Sequence, residues 1–110
     1  MVKINNKNIN SFLEDNKYFN KKSINAIKYD IDKNKIEVKI DDIKLVCEGI
    51  KECDIREYFS WEEIDKCFLE FVKFNNMDMI CFATSNDNPS IYIVCDCIKY
   101  NKGWLGWVKY

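Results

Sequence analysis

The chain contains no histidine in 110 residues. That removes Ser–His and Cys–His activation of a nucleophile, and with it the commonest metal ligand. Arginine occurs once, at Arg56, so no set of guanidinium forks can clamp phosphate groups. Glycine occurs only at Gly49, Gly103 and Gly106, a spacing that makes no phosphate-cradling loop. Long apolar runs are missing too. The longest, Met79–Ala83 and Ile91–Cys95, are a quarter of the ~20 residues that a membrane-crossing helix needs. No apolar stretch follows Lys3, so no secretory leader is expected. The expected location is cytoplasmic, with the six cysteines as reduced thiols and no contact with membrane.

What is present builds a core. Apolar residues make up 47% of the chain, including seven Phe, six Tyr and three Trp. A single domain over residues 1–110 is expected, needing neither disulfides nor metal. The net charge of -1 argues against a general nucleic-acid binder. It is unevenly spread. Residues 1–40 carry nine Lys against five acidic residues, whereas residues 41–70 carry ten acidic residues against four basic ones.

The clearest pattern runs from Ser23 to Ile50. Ile27, Tyr29 and Ile31 alternate with Lys28 and Asp30. Ile36, Val38 and Ile40 alternate with Lys35, Glu37 and Lys39, and Ile43, Leu45 and Cys47 follow in the opposite phase. Period two marks strands with one apolar and one wet face. The expected result is a meander of about 23–31, 35–40 and 43–48, with turns at Asn34 and at Asp41-Asp42.

Around it, a short strand is expected at Val2–Ile4, and a short helix over 11–18 with Ser11 and Glu14 as a capping box. A second box, Ser60 and Glu63, opens the main expected helix, which ends near Asn75-Asn76. Trp61, Ile64, Phe68, Phe71 and Val72 fall on one helical face, and Glu62 and Lys66 pair on the other. Met79–Thr84, Ile91–Ile98 and Trp104–Tyr110 read as further strands. The predicted fold class is α+β: an antiparallel sheet of five to six strands, one main helix packed on it, and a short N-terminal helix.

Candidate chemistry is sparse. The carboxylate pairs Asp41-Asp42 and Glu62-Glu63 fit a turn and a helix N-terminus. Cys95-Asp96-Cys97 is the one close cysteine pair, and strand alternation would point both thiols the same way. Cys47, Cys53, Cys67 and Cys81 are widely spaced and suit a core. Zinc sites use paired Cys or His on turns, so no metal is expected and no cofactor either. The acidic segment Glu48, Glu52, Asp54, Glu57, Glu62, Glu63 and Asp65 is the stronger candidate, as a docking surface for a basic protein. The aromatic end, Trp104, Trp107 and Tyr110, is a second candidate interface.

The run Ser23-x-x-x-Ile27-x-Tyr29-Asp30, a turn, Ile36-x-Val38-x-Ile40, then Ile43-x-Leu45-Val46-Cys47-Glu48-Gly49-Ile50 resembles small immunity proteins of bacterial toxin–immunity systems. Their central hairpin often reads I-x-Y-D … L-x-F-x-G-V. Cys47 stands where an aromatic residue would be expected. The resemblance implies a non-enzymatic cytosolic protein that binds one cognate toxin domain and blocks it. Many such toxins are nucleases with basic clefts, which an acidic surface can fill. Two alternatives remain: a phage-encoded inhibitor of a host nuclease or defence complex, and a small enzyme using Cys and carboxylates.

Overall fold

The computed structural model describes residues 1–55, 63–64, 66–84 and 91–102. The expected meander is there as β2 (Lys22–Asp30), β3 (Lys35–Ile40) and β4 (Ile43–Ile55), after a two-residue strand β1 (Val2–Lys3). Asn34 holds a left-handed backbone at φ 50°, as its turn position requires, and Asp41 does the same at φ 51°. Its backbone N–H also donates to the Asn25 side chain at 2.7 Å. β3 and β4 pair without a break from Ile40↔Ile43 to Lys35↔Glu48.

The helix expected from Ser60 to Asn75 is contradicted. Glu63–Ile64 forms a two-residue strand, β5, paired with Lys22–Ser23. Phe68–Phe74 forms β6, hydrogen-bonded to β7 (Met77–Ala83) from Phe68↔Ala83 to Phe74↔Met77. The apolar residues of this segment satisfy both periods, and two influences favour the strand. Three Phe and a Val in seven residues prefer a pleated surface. Asn75 and Asn76 both take positive φ, 52° and 67°, which closes a two-residue hairpin and continues the chain antiparallel. The burial expected of the helix face fails with it. Phe71 is 39% exposed, while Leu69, which is not among the residues of that helical face, is buried. Ser60, Trp61 and Glu62 lie outside the described residues, as does the expected strand Trp104–Tyr110.

The last described strand, β8 (Ile91–Lys102), lies inside the sheet between β4 and β7. The eight strands form one antiparallel sheet in the order β5-β2-β3-β4-β8-β7-β6, with β1 also on β8. The fold is therefore mostly β, not the α+β arrangement with a main helix on a sheet. Among the described residues one α-helix of seven residues is found, α1 (Ile9–Asp15), followed by a 3-10 turn at Lys17–Phe19. It starts before Ser11, so the expected capping box does not form. The Ser11 hydroxyl instead donates to the Asn8 carbonyl at 3.1 Å. Ile9, Phe12, Leu13 and Phe19 join the core on the inner face of the sheet, beside Ile36, Val38, Ile40, Leu45, Phe82, Ile93 and Ile98. Phe12 sits 4.4 Å from the Tyr100 ring, centroid to centroid.

One feature of β4 and β8 decides what each face displays. Cys47 pairs with Ile98, and Ile50 pairs with Cys95. All four pack in or against the main core, so each strand changes face across the two residues between them. Gly49 lies in that interval at φ 70°, a backbone that L side chains rarely adopt. A Cβ there would also overlap the Asp96 carboxylate. The Asn34 carbonyl accepts the Gly49 and Ile50 backbone N–H groups at 3.1 and 3.4 Å.

This switch corrects the reading of the close cysteine pair. Cys95 is buried in the main core. The Cys97 thiol donates to Glu48 on the outer face, at 3.4 Å. The two thiols point to opposite faces.

Candidate docking surface

The outer face divides into two halves of opposite character. On the β4–β8–β7–β6 side, strand register lines up Glu52, Val94, Cys81 and Glu70 across four strands. Asp54 lies opposite Tyr92 in the next row. Met79, Cys81 and Val94 form a second, smaller apolar cluster, with Val72, Phe74 and Tyr92 partly buried against it. Glu52 and Asp54 are exposed, as is Glu70. The result is an apolar patch, buried at Met79, Cys81 and Val94 and partly exposed at Val72, Phe74 and Tyr92, with carboxylates on both sides, Glu52 and Glu70 being three strand spacings or about 14 Å apart.

Groups between those carboxylates feel a negative field. Burial pushes the Cys81 thiol up to about 11, and the nearby Glu70 and Glu52 charges add to it. Burial also raises Tyr92, again with help from Cys81, Glu52 and Glu70. Both groups stay neutral at pH 7, so the patch keeps the charge of its carboxylates alone.

Of the acidic residues expected to form one surface, Glu52 and Asp54 are on this patch. Glu48 is not free. Its carboxylate pairs with Lys99 at 3.0 Å and accepts from Cys97, and these contacts hold it below the usual carboxylate range. Glu63 is on β5, paired with Ser23 at the far end of the sheet order. Glu57, Glu62, Asp65, Trp104, Trp107 and Tyr110 lie outside the described residues. Glu70, Tyr92 and Val94 were missed. Their membership depends on which residues face one another across β6, β7 and β8, and reading β6 as helix hid that register.

The remaining chemistry is thin. Cys47 and Cys67 are buried and their thiols are pushed well up, Cys47 first by its hydrogen bond with Cys95 and Cys67 by burial. Cys97 is raised by burial and by donating to Glu48. Among the described residues no group of three His, Cys, Asp or Glu is placed to hold a metal ion. Among them, too, no helix is long and apolar enough to cross a membrane. No protein-family model matches the chain, and no curated protein is significantly similar to it.

Proposed function

We propose that this is a non-enzymatic binding protein of the immunity type, which neutralises a cognate bacterial toxin in the cytoplasm by covering its active site. The acidic-rimmed apolar patch carries this reading. Tyr92, Val72 and Phe74 supply contact area that water leaves readily. Glu52, Asp54 and Glu70 supply charge that attracts and orients a basic partner. A nuclease toxin has such a basic cleft, and the likeness of residues 23–50 to immunity proteins favours that class of partner. The thiols weigh against the enzyme alternative. A nucleophilic Cys needs a lowered pKa, and every thiol with a resolved shift is raised.

The test has two steps. Tagged protein is purified from its native cell and any stoichiometric partner is identified. The partner is then expressed alone and with this chain. Growth arrest by the partner, relieved by the wild type and not by Glu52→Lys/Glu70→Lys, is the expected result. A partner that is harmless when expressed alone overturns the toxin reading.

A further inference from the structure

The other half of the outer face carries lysines. β2 presents Lys28, β3 Lys39, β4 Lys44, β8 Lys99 and β1 Lys3, one from each of five neighbouring strands. Register makes two of these contacts unfavourable. Lys39 lies directly opposite Lys44, and Lys3 directly opposite Lys99. Like charges directly opposed across strands destabilise a sheet. Carboxylates relieve this only in part. Glu37 is shared by Lys44 at 3.2 Å and Lys35 at 3.6 Å, and Glu48 is taken by Lys99. Among the described residues, Lys3, Lys28 and Lys39 have no ion-pair partner.

The band is open to a ligand. A depression of about 400 Å³ on this face is lined by Lys28, Lys39 and Lys44, with Asn101, Glu37 and Asp42 among its other walls. Strands stand ~4.8 Å apart, so five of them spread the ammonium groups over about 19 Å at right angles to the strands. The net charge of -1 does not describe this field, because it sums 18 acidic and 17 basic residues over the whole chain.

We propose that this lysine band binds single-stranded nucleic acid through its phosphates. A chain crossing the strands at right angles gains no sheet hydrogen bonds, so its affinity must come from charge. A phosphodiester chain carries one charge at every repeat, whereas a peptide carries carboxylates only where its sequence places them. A flexible single strand can follow the band, while a rigid duplex meets a flat face at few phosphates. None of the five positions is aromatic and none can stack a base, so binding is independent of base sequence.

The experiment is fluorescence anisotropy with labelled dT20 against salt concentration. Each neutralised phosphate contributes about -0.7 to the slope of log K against log salt. Three to five lysines therefore give a slope between about -2 and -3.5, or a loss on the order of 20- to 130-fold in affinity from 50 to 200 mM salt. Lys28→Gln/Lys39→Gln should flatten the slope by about 1.4. Lys33→Gln, in the β2–β3 loop, should leave it unchanged. Relief of the Lys39–Lys44 repulsion should leave the melting temperature of Lys39→Gln equal to or above that of the wild type, which separates lost binding from lost fold. No binding at low salt, or a slope indifferent to the double substitution, overturns the proposal. Poly-glutamate displacing dT20 at equal charge would overturn it in favour of an acidic protein ligand.

Discussion

Gly49→Ala is the substitution that probes how the outer face is made. Gly49 sits where β4 and β8 change face together, at φ 70°. An alanine must adopt the left-handed conformation, which costs about 1–2 kcal/mol. Its methyl would also overlap the Asp96 carboxylate. Asp96 is exposed and can swing away, so that second part should be smaller than the first. The expected total is about 2–3 kcal/mol, a large fraction of a small domain's stability. A urea titration measures it. Gly49→Ala/Asp96→Ala should recover the overlap part and leave the backbone part. Gly49→Asn should be milder than Gly49→Ala, because Asn tolerates the left-handed region. If Gly49→Ala costs less than about 0.5 kcal/mol, the chain does not need this conformation to switch faces, and the placement of Glu48 and Glu52 needs another cause.

Further substitutions test the remaining parts of the account. Asn76→Gly should stabilise the β6–β7 hairpin and Asn76→Ala should destabilise it, each by about 1 kcal/mol in chemical denaturation; a helical segment would rank them the other way. Phe82→Ala, at a fully buried position in the main core, should cost about 3–5 kcal/mol by the same measurement. With a thiol reagent at pH 8, the exposed Cys53 should react first, and Cys47, Cys67 and Cys95 only after unfolding. The Glu48 carboxyl has a lowered pKa in the folded state, so its contribution is present above the ordinary carboxylate value and is lost as pH falls through the lowered one. The difference in melting temperature between wild type and Glu48→Gln should therefore shrink as pH is taken from 7 towards 3.

The sheet was legible wherever alternation met a polar turn. β2, β3 and the start of β4 follow from Ile27 to Cys47, and Asn34 and Asp41 take the turn conformations their types favour. β4 runs on to Ile55 because its partner is β8, a long-range match that an acidic, irregular segment does not advertise. Phe68–Phe74 failed for a different reason. Its apolar spacing fits a helix as well as a strand, and only the Asn75-Asn76 dipeptide, read as a hairpin turn instead of a helix end, would have separated them. The acidic character of the candidate surface was visible at Glu52 and Asp54. Its apolar centre was not, because Tyr92, Val94 and Val72 are brought together by register, and the neutralisation of Glu48 depends on Lys99, far along the chain.

The central claim is that the partner docks on the carboxylate-rimmed patch of β4, β8, β7 and β6. Its most direct test is the association rate of the purified partner across a range of salt concentrations, for the wild type and for Glu52→Lys/Glu70→Lys. Charge steering acts on the on-rate and is screened by salt. Both residues are exposed, so the substitutions should barely change stability. The account predicts a wild-type rate that falls steeply with salt, and a double variant that associates slowly at low salt and responds much less. Equal rates and equal salt dependence for the two proteins would contradict it.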